Sequence, residues 1–224
     1  MTVRVKICGI TTVPDAHMAV RAGADALGFL LSASPRQVTP RHVRAIVGSL
    51  PPFVQAVGVF VDEPAEAVSE MARAAGVHCI QLQGSETPEY CAPLPLPVIK
   101  TFRVRDSIDP AAVRRYPVAA YLFDTAVPDM AGGTGESFDW EVLRRTAFTR
   151  PVILAGGLDP ENVTRAVATV APYAVDVSSG VAAGPRRKDP EKIREFIARA
   201  KSTAVAWRAD AAKERNECCV MPLP

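Results

Sequence analysis

Two residues combine a reactive side chain with a position that could present it to a ligand. Cys8 closes the apolar run VRVKIC, directly before Gly9, and Asp124 closes the run AAYLFD. A thiolate can take a proton and a carboxyl group can give one, so the two types together make a general base and a general acid. If VRVKIC is a β-strand, alternation sets Cys8 and Lys6 on one face, about two residue rises apart, and Val3, Val5 and Ile7 on the other. An ammonium at that distance favours the thiolate, the form useful as base or nucleophile. In AAYLFD the same rule sets Asp124 on the face of Leu122, opposite Tyr121 and Phe123. Each residue also has a plainer reading: Cys8 as a small core cysteine, and Asp124 as a helix cap or turn residue.

Two later segments read as anion sites. Gly156 and Gly157 follow the run PVILA, and Ser178, Ser179 and Gly180 follow YAVDV. Glycines let backbone N–H groups approach a ligand with no Cβ in the way, although Gly-Gly is also a common turn. Arg36, in the SPR segment after ALGFLL, carries a guanidinium suited to gripping a carboxylate by two hydrogen bonds, or to sitting in solvent. The stretch AGGTGESF, residues 131–138, is glycine-rich but lacks the Lys-Ser/Thr ending of a phosphate-binding P-loop, so it reads as a lid over the site.

These residues need a scaffold that brings distant strand ends together. Short β-branched runs alternate with helical segments along the chain: VRVKIC and 14–22, ALGFLL and 40–47, FVQAVGVF and 64–75, CIQLQ and 88–91. The rhythm continues with PVIKTF and 110–114, AAYLFD and 140–145, PVILAGG and 160–170, and YAVDVSSG and 190–204. Eight strand-then-helix units predict a parallel sheet closed into a (β/α)₈ TIM barrel over residues 1–204, as a single α/β domain. The alternative is an open doubly wound sheet, against which stands the lack of a G-x-G-x-x-G after the first strand. In a barrel, every candidate named above falls at the C-terminal end of a strand, and the two glycine-containing anion loops follow strands seven and eight, a common phosphate position. Residues 205–224 break the pattern and read as a polar tail outside the barrel.

Composition bounds the partners. Lys plus Arg number 26 against 24 Asp plus Glu, so no protein-wide basic surface points to nucleic acid, and any anion must be held locally. No apolar run reaches the length of a membrane span and no signal-peptide pattern opens the chain, so the expectation is a cytoplasmic protein with no membrane partner. The 5 cysteines, with Cys218 and Cys219 adjacent, form no disulfide framework, and no Cys/His cluster has metal-ligand spacing. Oligomeric state is left open between monomer and homodimer.

In order and spacing, KICGIT, ALGFLLSASPR, VGVFVD, IQLQG, LFDT, GGTGESFDW, ILAGGLDPENV, VDVSSGV and KDPEKI resemble the phosphoribosylanthranilate isomerases of tryptophan biosynthesis over about residues 3–200. The resemblance implies an Amadori rearrangement of N-(5′-phosphoribosyl)anthranilate to 1-(2-carboxyphenylamino)-1-deoxyribulose 5-phosphate, with no metal or cofactor and a phosphorylated small molecule as partner. It also implies roles. Cys8 would be the base at the ribose C2′, Asp124 the acid at the ring oxygen, Arg36 the grip on the anthranilate carboxylate, and the two anion loops the phosphate site. Asp176, facing inward on the eighth strand by alternation, would lie near the amino nitrogen. Two departures stand out. Gln83 replaces the histidine of the family's common QLHG, where an amide can hydrogen-bond but not titrate near neutrality. Ala182 replaces the glutamate of GVE, which removes a negative charge beside the phosphate loop. Two alternatives remain: the related dual-substrate isomerase of histidine and tryptophan synthesis, whose first-strand base is an aspartate, and a catalytically impaired sugar-phosphate-binding barrel.

Overall fold

A computed structural model of the chain describes residues 2–125 and 139–203. The residue 131–138 segment and the 205–224 tail lie outside the described residues. Eight parallel strands follow one another around a closed barrel: β1 (Arg4–Cys8), β2 (Ala26–Leu30), β3 (Gln55–Phe60), β4 (Cys79–Leu82), β5 (Val98–Val104), β6 (Ala120–Thr125), β7 (Val152–Leu154) and β8 (Ala174–Val177). Their helices are α1 (Val13–Arg21), α2 (Pro40–Val47), α3 (Ala65–Ala75), α4 (Pro88–Cys91), α5 (Pro110–Arg114), α6 (Glu141–Arg144), α7 (Val163–Val170) and α8 (Pro190–Ser202). Closure comes from β8 pairing back onto β1, with Lys6 level with Asp176 and Ile7 level with Val177.

Strand alternation divides the apolar residues into two layers. Val5, Ile7, Leu27, Phe29, Tyr121 and Phe123 point outward and pack beneath the helices in the larger core. Val57, Ile99, Leu122, Ile153 and Ala174 point inward and fill the barrel's interior. At the C-terminal ends of the strands the inward side chains turn polar: Lys6, Gln81, Thr101 and Asp176 are all buried there.

Local chemistry starts the helices where it was expected. Thr12, Thr39, Thr87, Asp109 and Asp189 each accept a hydrogen bond from a first-turn backbone N–H, and a proline follows within two positions of each. The exception is α7, which begins at Val163 rather than Pro160. Asp159 and Asn162 exchange reciprocal side-chain-to-backbone hydrogen bonds of 2.8 and 3.1 Å, and this turn occupies the residues that would have formed the first helical turn. After β8 come a one-turn 3₁₀ helix, Ser179–Val181, and a small antiparallel pair, β9 (Ala182–Gly184) and β10 (Arg187–Lys188), that the sequence reading did not anticipate. No described helix is long and apolar enough to cross a membrane.

Candidate active site

A cavity of about 500 Å³ opens at the C-terminal ends of the strands. Cys8, Arg36, Gln83, Asp124, Gly156, Gly157, Asp176, Ser178 and Ser179 all line it. Gly180 does not line it. A Cβ at Gly180 would lie 2.0 Å from the Leu158 carbonyl oxygen, so its smallness serves packing between the two anion loops.

On one wall, Cys8 ends β1 with only 8% of its surface exposed. Below it Lys6 Nζ donates to Asp176 Oδ2 at 2.8 Å, between two nearly solvent-free side chains. Burial alone would lower the Lys6 ammonium, but the Asp176 carboxylate and the Cys8 sulfur outweigh it and push the lysine up to about 12. The second Asp176 oxygen, Oδ1, is buried and has no hydrogen-bond partner among the described residues. Gly28 on β2 makes room for this cluster: a Cβ there would lie 2.8 Å from Cys8 Sγ and 3.0 Å from Lys6 Nζ.

On the opposite wall stands Asp124, near the end of β6. Burial, and then the nearby Asp176 charge, raise its carboxyl above the ordinary aspartate value. Three groups oppose that rise: the Thr125 N–H donating to Oδ1 at 2.8 Å, the Gln83 amide donating to Oδ2 at 3.0 Å, and the Arg103 charge. Arg103 also lines the cavity, level with Asp124 across the β5–β6 pair. The sequence reading ended this strand at Phe102 and so missed it; continuing the alternation of Ile99 and Thr101 by one step finds it.

The anion loops sit between these walls. Gly156 and Gly157 both have positive φ, +86° and +63°. A Cβ at Gly156 would lie 2.3 Å from Thr125 Oγ1 and 3.0 Å from Asp124 Oδ1, so this turn also presses against the carboxyl. Asn162 Nδ2 donates to the Gly157 carbonyl at 2.7 Å and holds the loop's shape. On the neighbouring loop, the Ser178 hydroxyl accepts from Arg36 Nη1 and donates to the Cys8 carbonyl at 3.1 Å. Among the described residues no carboxylate pairs with Arg36. Lys188, from the unanticipated β10, is buried behind this loop and donates to the Ser178 carbonyl at 2.8 Å. Burial, with Arg36 adding to it, pulls the Lys188 ammonium down to about 8 against the opposing pull of Cys8 and Asp176. The signal for it was the Gly-Pro turn in VAAGPRRK, flanked by two short strand-like segments.

Among the described residues no group of three or more His, Cys, Asp or Glu is arranged to hold a metal ion. The arrangement offers a proton acceptor, a proton donor of raised affinity, and two anion-binding loops in one cavity.

Known proteins match this chain along nearly its whole length. The family model described as N-(5′-phosphoribosyl)anthranilate (PRA) isomerase matches residues 5–199. The N-(5′-phosphoribosyl)anthranilate isomerase of Geobacter metallireducens is 53% identical over 203 residues, which cover 89% of this chain and 100% of that protein. The crystal structure of phosphoribosyl anthranilate isomerase from Thermus thermophilus is 42% identical, with a TM-score of 0.82 over 89% of this chain and 98% of that one. A second solved structure, a phosphoribosyl anthranilate isomerase in complex with reduced 1-(o-carboxyphenylamino)-1-deoxyribulose 5-phosphate, is 40% identical with a TM-score of 0.77, covering 90% of this chain and 100% of that one.

Proposed function

The chain belongs to the N-(5′-phosphoribosyl)anthranilate isomerase family, and from that membership we propose how its residues carry out the reaction as a cytoplasmic enzyme. It converts N-(5′-phosphoribosyl)anthranilate to 1-(2-carboxyphenylamino)-1-deoxyribulose 5-phosphate. The observation that carries the assignment of roles is that Cys8 and Asp124 line one cavity from non-adjacent strands.

Asp124 gives its proton to the furanose ring oxygen as the C1′–O bond breaks, and the amine nitrogen supplies the electron pair that makes C1′ an iminium carbon. Cys8 removes the proton from C2′, whose electrons neutralise the iminium and leave an enolamine. Tautomerisation of that enolamine gives the 2′-ketone. Burial of Asp124 supports its part, because a raised carboxyl keeps its proton closer to neutral pH. Cys8 lines the cavity with Lys6 beside it, both packed into the space that Gly28 leaves open.

The remaining roles follow from unsatisfied chemistry. Asp176 Oδ1, buried and without a partner, supports acceptance of a hydrogen bond from the substrate's amino group. Among the described residues Arg36 has no carboxylate partner, which suits it to the anthranilate carboxylate. The loops of Gly156–Gly157 and Ser178–Ser179 take the phosphate, with Lys188 adding positive charge behind Ser178. Gln83 orients rather than titrates, so its replacement of histidine leaves the proton transfers intact.

The test follows the loss of anthranilate fluorescence from substrate generated in situ. Cys8→Ser and Asp124→Asn should each lower turnover by about 10²–10⁴-fold while the fold is retained. Turnover that survives either substitution removes that residue from its role. A parent protein that binds a product analogue yet never exceeds the spontaneous rate would be a phosphate-binding barrel without chemistry.

A further inference from the structure

The proton transfers above leave unused the buried polar cluster around Gln83, the residue where the chain departs from the QLHG pattern. Gln83 Oε1 accepts two hydrogen bonds, from Gln81 Nε2 at 2.8 Å and from Thr101 Oγ1 at 3.0 Å. Gln81 is 2% exposed and Thr101 4%, so water does not substitute for them. A carboxamide has one accepting end and one donating end. With the accepting end doubly engaged, the NH₂ turns the other way and meets Asp124 Oδ2 at 3.0 Å.

The opposite orientation is the poorer one by count. As observed, one group of the cluster is left over, the buried Gln81 Oε1. Turning both amides over would satisfy that oxygen, but it would strand the Gln81 NH₂ and the Thr101 hydroxyl proton. It would also set the Gln83 carbonyl against Asp124, which repels the ionised carboxylate and suits the protonated one only with its proton turned to Gln83 and away from the cavity. A histidine in this position could titrate or exchange tautomers to suit Asp124. A glutamine can do neither, so its orientation has to be imposed by its neighbours.

We infer that Thr101 and Gln81 are positioning residues for the general acid, locking the Gln83 NH₂ against Asp124 so that the carboxyl proton occupies a lone pair turned toward the cavity. This rests on Asp124 being the acid of the proposed reaction. Thr101 does not line the cavity, so it acts only through Gln83. A proton on the lone pair facing Gln83 would meet the amide's own hydrogens, and Oδ1 already receives the Thr125 N–H. The other charged groups that act on Asp124 are Asp176 on β8 and Arg103 on β5, the strand that also carries Thr101, and neither takes part in the hydrogen bonds among Gln81, Gln83 and Thr101.

The test removes the Thr101 hydroxyl at constant shape. In Thr101→Val the Gln83 donor is no longer held on Asp124, and loss of a donor favours the protonated carboxyl, so Asp124 should titrate at higher pH by roughly half a unit to one unit. The reading is the ¹³C carboxyl resonance of Asp124, assigned by its disappearance in Asp124→Asn. Turnover should fall roughly tenfold, the size of one lost hydrogen bond, with KM near the parent value. Thr101→Ser should restore both readings, and Gln81→Met should shift both in the same direction as Thr101→Val. An Asp124 titration that stays in place in Thr101→Val and Gln81→Met overturns the inference, as does a turnover loss that serine does not rescue. The titration needs no turnover. A parent without isomerase activity would therefore defeat the proposed function, while the titration still decides whether Thr101 acts on Asp124 through Gln83.

Discussion

Lys6 and Asp176 meet inside the barrel and Lys100 and Glu86 meet outside it, each pair with nitrogen and oxygen 2.8 Å apart and each nearly closed to solvent. In the outer pair both carboxylate oxygens are engaged. Glu86 Oε2 takes Lys100, and its Oε1 accepts the backbone N–H groups of Asp62 at 3.0 Å and Gly84 at 3.3 Å. Lys100 spends a second hydrogen on the Gly84 carbonyl at 2.6 Å. One carboxylate thus ties the loops after β3 and β4 to strand β5. The inner pair is left short: Asp176 gives one oxygen to Lys6 and leaves the other unpaired in a cavity-lining residue. The same two side-chain types make a clamp where both carboxylate oxygens are engaged, and a cavity-lining pair where one is not.

Substitutions separate these two uses, and the largest effect belongs to the inner pair. Asp176→Asn should lower turnover by about 10²-fold, because it takes away the ionic acceptor proposed for the substrate's amine and leaves Lys6 without its counter-charge. It also removes a charge that raises Asp124, so the limb of the pH–rate profile governed by Asp124 should move to lower pH. A profile whose limb stays put would mean that Asp176 and Asp124 are not coupled as drawn.

Breaking the outer pair should give the converse. Glu86→Gln leaves a buried lysine without its carboxylate and should cost about 3–5 kcal/mol of stability, read as a lower denaturant midpoint. Turnover per folded molecule should stay near the parent value. A variant of unchanged stability that loses turnover would erase the distinction between clamp and site.

A third carboxylate gives the smallest effect. Asp25 accepts from the Val5 N–H at 2.9 Å and from Arg4 at 3.0 Å, and pairs with Lys201 of α8 at 2.8 Å. Burial opposes its ionisation, but Lys201, Val5 and Arg4 together hold the carboxyl below its ordinary value of 3.8. A lowered carboxyl stabilises the fold fully above its unfolded value and loses that contribution as pH falls through the folded one. Asp25→Asn should therefore cost about 1 kcal/mol at neutral pH and progressively less below pH 3.8. A difference from the parent that is the same at neutral and acid pH would show that the Asp25 charge contributes nothing.

Much of the fold was legible because its signals are local. Most helices begin within a residue of where the sequence placed them, and at Thr12, Thr39, Thr87, Asp109 and Asp189 the structure shows a side chain filling an orphan N–H with a proline within two positions. Alternation alone pointed Cys8, Lys6 and Asp176 inward. What was misread has physical reasons. The Asp159–Asn162 turn outcompeted the helix expected from Pro160, because two mutual side-chain hydrogen bonds satisfy the backbone there as well as a helical turn would. Lys188 escaped notice because a two-residue strand carries too little pattern to register.

The sequence by itself determined the eight-unit rhythm and the outward and inward faces of each strand, since both depend on residue types at short spacing, and its motifs in shared order carried the resemblance to the family. The tertiary structure decided which groups meet. Lys6 pairs with Asp176 across 170 positions because barrel closure brings β8 level with β1, and Gln83 meets Asp124 across 41 because β4 and β6 converge on one mouth. Strand periodicity says which way a side chain points; only the register of a closed barrel says what it finds there.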